Sequence, residues 1–196
     1  METGNQLMKQ ILWDSMQELL AAYKYREDTY LHTFSGALQQ LTNMAVRKQK
    51  DGAKGKICYL GICYCRSSVF TNIHEMKLDA YGEEIYLDEE ECSLFWEPNF
   101  IFDFYKRDMQ YFRTNIRKEI PRVRTWEIQQ YGMGDWMNYI YILSEFLRQK
   151  LPEAMEQISM EGLQRDGKLK VFFGEYMGRS AVLYEEGCNE IFSNKQ

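Results

Sequence analysis

Proline is scarce in this chain, at three residues in 196, and histidine is scarcer, at two. So little proline and serine excludes the composition of a disordered chain. Long apolar runs are also missing. The longest apolar-rich stretch, Ile57 to Cys65, covers nine residues, against about 20 for a helix that crosses a bilayer. No membrane span is expected. The first twenty residues carry polar or charged side chains in every turn, unlike a signal peptide, so the chain reads as cytoplasmic.

The common catalytic and nucleotide-binding signatures are absent. There is no phosphate loop of the G-x-x-x-x-G-K-[ST] type and no G-x-G-x-x-G after a strand. There is no G-x-S-x-G elbow for a serine nucleophile. Gly132-Met133-Gly134 comes nearest to a glycine motif, but it lies in helical sequence and reads as a helix break. The five cysteines, Cys58, Cys63, Cys65, Cys92 and Cys188, are odd in number. Without an export signal they do not suggest a disulfide framework. Reduced thiols acting as small core side chains are expected. A net charge of −5 works against broad attraction to nucleic acid or to an anionic membrane.

Aromatic side chains, by contrast, are abundant: fourteen Tyr, eleven Phe and four Trp, in a chain that is 45% apolar. Such residues bury large areas each. The length suits one domain spanning 1–196.

Apolar residues recur at helical spacing through residues 1–50: Leu7, Met8, Ile11, Leu12 and Leu19, then Leu31, Phe34, Leu38 and Leu41. Two helices meeting near Lys24–Asp28 are expected. A three-strand segment over 51–96 follows. Its first strand, Ile57–Cys65, is apolar on both faces and so should be central in a sheet. The next, from His74 to Tyr81, alternates as a strand with one wet face. Gly82 should make a hairpin turn into Ile85-Tyr86-Leu87. Residues 97–164 read as helical. Pro121 and Pro152 should end helices, and Asp135 should cap one. Residues 165–188 read as a closing hairpin around Met177-Gly178, after a turn at Asp166-Gly167, with a loose polar tail beyond Cys188. Strands grouped apart from helices define an α+β fold. Its sheet should be mainly antiparallel, of about five strands packed against several α-helices, with a helical N-terminal region.

Three constellations carry functional expectations. Glu83, Glu84, Asp88, Glu89, Glu90 and Glu91 place six carboxylates in nine residues with no basic residue among them. Beyond a solvated loop, this patch could meet a basic protein partner. Lys106, Arg107, Arg113, Arg117, Lys118, Arg122 and Arg124 place seven cations in nineteen residues, with Tyr105 and Tyr111 interleaved. That pattern suits nucleic acid, or else a solvated helix face. Cys63 and Cys65 share a strand face, and with either histidine, His32 or His74, a Cys/His nucleophile arrangement is formally possible; the enzyme reading is built around Cys63, Cys65, His74 and Arg66. No metal or cofactor is expected, because the cysteine spacing lacks the separated pairs of a zinc site. The leading expectation is a non-enzymatic protein-protein interaction module, of the kind found in inhibitors and immunity proteins. A nucleic-acid-associated protein using residues 106–124 is the alternative, and an enzyme built on the Cys/His/Arg group is the third reading.

Overall fold

The structure, a computed structural model, describes residues 2–187 except Glu89 and the side chain of Tyr25. The expected tail beyond Cys188 lies outside the described residues. The elements are α1 (Glu2–Lys50), β1 (Ile57–Tyr64), α2 (Ser68–Thr71), β2 (Met76–Tyr81), β3 (Ser93–Trp96), α3 (Asn99–Glu119), α4 (Thr125–Gln157), β4 (Arg165–Glu175) and β5 (Ser180–Glu185). A 3-10 turn, Ile85–Leu87, sits between β2 and β3. The fold is α+β. Among the described residues no helix is long and apolar enough to cross a membrane.

The chain divides into two compact units. The first is helical and takes the residues up to Tyr30, Ser67–His74 and Pro98–Ser144. The second takes Leu31–Arg66, Glu75–Glu97 and the residues from Glu145 onward, and it holds the sheet. Helix α1 passes from the first to the second, and so does α4. At Arg26, α1 leaves helical geometry (φ −129°, ψ 16°), so two helical segments meet there as the sequence suggests.

In the sheet unit the strand order is β3-β2-β1-β4-β5. The β1/β4 pair is parallel and the other three are antiparallel. β1 is central, as its two apolar faces predict. Leu60, Ile62, Met76, Leu78, Ala80 and Val171 are all buried on one face of the sheet. In the same unit Phe34 of α1 packs 4.8 Å from the Trp96 ring and 6.4 Å from Phe146 of α4. Gln49 ties the end of α1 to the loops, donating to the carbonyls of Gly55 and Gln164 and accepting from the Gln164 amide.

Several expectations are corrected. Ile85-Tyr86-Leu87 is not a strand: Ile85 is left-handed (φ 48°), and the third strand is Ser93–Trp96. The cause is Asp88, whose carboxylate accepts the Gly82 amide at 2.9 Å and closes residues 82–88 into a loop instead of a tight hairpin. β2 has no wet face. Asp79 is 1% exposed and Tyr81 is buried, because the 82–92 loop and Tyr176 cover them. His74 precedes β2 rather than opening it. α4 runs without interruption through Gly132, Gly134 and Pro152, so Asp135 is no cap. Leu151, Ala154 and Met155 are buried on either side of the proline, and that packing outweighs the missing N–H. The start of α4 is set by Glu127, whose carboxylate accepts the Arg124 amide at 2.7 Å, half of a capping box. Asp166-Gly167 is not a turn between elements. Gly167 (φ 67°) lies inside β4, where the register against β1 shifts.

In the helical unit, α1, α3 and α4 share a buried polar centre. Asp108 accepts the Ser15 and Tyr139 hydroxyls, each at 2.6 Å. Arg107 bonds Ser15 at 2.8 Å and pairs with Glu18. Asp135 is buried, and neither carboxylate oxygen has a close hydrogen-bond partner, with Asn138 only weakly favouring its charge. Burial, followed by the charge of Asp108, pushes its pKa up to about 7.

Candidate functional site

The face of the sheet opposite the apolar core carries Lys77, Asp79 and Tyr81 on β2, with Gly61 and Cys63 beside them on β1. The Lys77 ammonium lies 2.7 Å from Asp79 and 2.9 Å from Glu91, and 4.7 Å above the Tyr176 ring. Burial opposes its charge, but the two carboxylates outweigh that and raise its pKa. For Asp79 burial dominates, and its pKa is raised in spite of Lys77. The second carboxylate oxygen of Asp79 and the Tyr81 hydroxyl are buried without a close hydrogen-bond partner, interacting only weakly with each other. Both residues line a cavity of about 160 Å³, with Tyr86 and Tyr176 in its walls.

The acidic run forms the lip of this cavity. Lys54, 7% exposed, reaches Asp88 at 2.6 Å and also donates to the Glu90 carbonyl. Burial works against the Asp88 charge, but Lys54 and the Gly82 amide hold its pKa below the usual carboxylate value. Glu91 accepts from Ser93 as well as from Lys77, and its pKa is lowered by them. Glu90 pairs with Lys48 at 3.2 Å. Glu83 and Glu84 are exposed. Glu89 lies outside the described residues. On the other side of the same loop, Glu83, Glu84, Asp88, Glu90 and Asp166 border a wider groove of about 650 Å³ next to Leu87, which is 77% exposed. Asp88, Glu90 and Glu91 are thus held by basic partners from β2 and from around the end of α1.

The basic stretch divides. Lys106 pairs with Asp103 at 3.5 Å, and Arg107 is engaged with Glu18 and Ser15. Arg113, Arg117, Lys118, Arg122 and Arg124 are exposed, as are the rings of Tyr111 and Trp126.

Of the third constellation, Cys63 is fully buried against Tyr81 and Phe172. Burial, then Asp79, pushes its thiol up to about 12, which suppresses the thiolate a nucleophile needs. Arg66 is exposed and pairs with Glu175 at 2.8 Å. His74 belongs to the helical unit, stacked on Phe102 with centroids 5.2 Å apart. Burial, then Lys106, lowers its pKa to about 4. Among the described residues no cluster of His, Cys, Asp and Glu is arranged to hold a metal.

One surface goes unmarked by the motif reading. Trp126, Met133, Met137 and Tyr141 stand exposed along α4 at intervals of seven, four and four. The signal for it is an absence of charge: Ile128–Ser144 contains one charged residue, Asp135, and that one is buried.

No family model matches the chain, and no curated protein or solved structure matches it either.

Proposed function

We propose that the chain is a protein-binding module whose acidic loop, residues 82–92, receives a basic segment of a partner. An inhibitor or immunity-type protein that covers a basic surface is one form of such a module. The observation that carries the reading is the fixing of the loop by Lys54, Asp88 and the Gly82 amide, which leaves Glu83, Glu84 and Leu87 outward around a groove. An apolar contact ringed by charge suits recognition: the charges speed encounter and the apolar side chain anchors it. In this reading the protein works in the reducing cytoplasm, and the burial of Cys63 and Cys92 as free thiols supports that.

The test is Glu83→Lys with Glu84→Lys and Glu90→Lys. These are surface positions, so the melting temperature should hold within a few degrees. Capture of basic proteins by the wild-type chain should weaken as salt rises and disappear with the triple variant. Equal capture by both would overturn the reading.

A second reading has its own observation. Five exposed cations lie in the sequence between the exposed Tyr111 and Trp126, and basic residues with aromatics are the combination that grips single-stranded nucleic acid. It requires oligonucleotide binding that falls steeply with salt, and absence of binding at low salt would remove it.

A further inference from the structure

We infer that the cavity beside Asp79 is a binding site for an organic cation, a guanidinium or ammonium group. Lys77 is engaged by Asp79, Glu91 and the Tyr176 ring, and Lys54 by Asp88 and the Glu90 carbonyl. The unused capacity lies in the second oxygen of Asp79, which can only accept while ionised, and in the Tyr81 hydroxyl: neither has a close hydrogen-bond partner, and the hydroxyl's weak interaction with the Asp79 carboxylate leaves room for a stronger donor. Both residues are more than nine-tenths buried. A buried carboxylate oxygen without a partner is costly, and a ligand that donates hydrogen bonds removes that cost.

Charge and shape select the same ligand. Four carboxylates border the cavity, those of Asp79, Asp88, Glu90 and Glu91, against two ammonium groups, Lys54 and Lys77. With the Lys48 that pairs with Glu90 counted, the formal balance is one negative charge, which disfavours an anion and favours a cation. Tyr81, Tyr86 and Tyr176 line the cavity, and the Tyr176 ring already holds the Lys77 ammonium, so the wall tolerates a cation. The volume, about 160 Å³, is the share of roughly five waters. That accommodates a guanidinium head with a short stem and excludes a nucleotide. Glu91, at 70% exposed, marks the mouth.

The cation has two sources. As the side chain of a basic partner it rests on the acidic-loop reading above. As a free amine it stands without that reading.

The experiment titrates the full chain with agmatine, with a blocked Gly-Arg-Gly peptide, and with inorganic phosphate, by calorimetry and by amide chemical shifts of β2. Saturable binding of agmatine is expected, weakened about tenfold by Asp79→Asn and several-fold by Tyr81→Phe, with phosphate inert. Binding of the peptide as well assigns the cation to a partner's arginine. Binding of agmatine alone assigns it to a small amine. Tyr81→Phe leaves the Lys77–Asp79 pair in place, so it keeps the test sound if Asp79→Asn fails to fold. Unchanged affinity in a folded Tyr81→Phe, no saturation by about 10 mM, or binding of phosphate in place of agmatine would each overturn the inference. Glu83→Lys with Glu84→Lys separates the two readings. Agmatine binding that survives this change while partner capture is lost supports the cavity independently of the patch. Capture that survives while agmatine never binds leaves the protein-binding reading and removes the cavity.

Discussion

The rings of Tyr81 and Phe172 stack over Gly61, with centroids 6.0 Å apart and planes 13° from parallel. A Cβ at Gly61 would lie 2.8 Å from the Phe172 ring and 2.9 Å from Tyr81. Both rings belong to the buried cluster on the cavity face, so neither can swing freely into solvent. Gly61→Ala should therefore lower stability by about 1–3 kcal/mol. Urea unfolding should show an earlier midpoint with an unchanged slope, and an unchanged midpoint would contradict the packing described.

Gly134 is the opposite case. Nothing lies within 4 Å of a Cβ placed there, and the residue sits inside α4. Gly134→Ala should stabilise the chain by about 0.5–1 kcal/mol, because alanine restricts the unfolded chain and favours helix. Gly132→Ala should gain less, since its Cβ would meet the Met109 methyl at 2.8 Å and the methionine end would have to move aside. Thermal unfolding of the two variants side by side distinguishes them.

Lys77→Met alone should be costly, by about 3 kcal/mol at neutral pH, because it strands the Asp79 carboxylate in a buried site. Joining it to Asp79→Leu should restore most of the loss, since an apolar pair leaves no uncompensated charge. A double-mutant cycle on urea midpoints measures the coupling, and additive losses would show that the pair is not interdependent.

Asp135 and His74 titrate in opposite senses. With a folded pKa near 7 against an ordinary 3.8, Asp135 keeps a proton in the folded chain that the unfolded chain has lost. Its contribution to stability therefore falls as pH rises from about 4 to 7, by at most about 1.4 kcal/mol per pH unit. His74, lowered to about 4 from 6.5, keeps its proton only in the unfolded chain, so its contribution grows between those values. The difference in unfolding free energy between Asp135→Asn and wild type should then increase in favour of the variant from pH 4 to 7 and level off above. A pH-independent difference would mean that Asp135 is charged throughout.

Tyr139→Phe removes one of the two hydroxyls that Asp108 accepts. It should cost about 1.5–3 kcal/mol, the range for a hydrogen bond to a buried charge. The far-ultraviolet circular dichroism should stay the same while the melting temperature drops.

What the sequence shows of this fold depends on how local the cause is. β1 is legible because nine consecutive residues leave neither face polar. The β4–β5 hairpin is legible because Met177-Gly178 can turn where its flanks cannot. β3 is hidden, since four residues carry little periodicity and Ile85-Tyr86-Leu87 imitates a strand. Pro152 misleads because its local cost is outweighed by burial on either side. The acidic run is visible as charge, but the inward turn of Asp88 and the buried pair beneath it are not. Asp88 takes its lysine from 34 residues away, and Lys77 and Asp79 look like solvent-facing residues until Tyr86 and Tyr176 close over them. Pairings at such distances leave no trace in composition or spacing.

The parallel pairing of β1 with β4 bears on how the chain is made. About 100 residues separate the end of β1 from the start of β4. β2 follows β1 closely and can pair with it early, whereas the other edge of β1 must wait. At a synthesis rate of about 5–20 residues per second, that wait lasts roughly 5–20 seconds. Throughout it, the most apolar strand of the protein presents an unpaired edge, the state in which nascent sheets invite wrong partners. The interval before β4 emerges is therefore one in which this chain is open to wrong pairing.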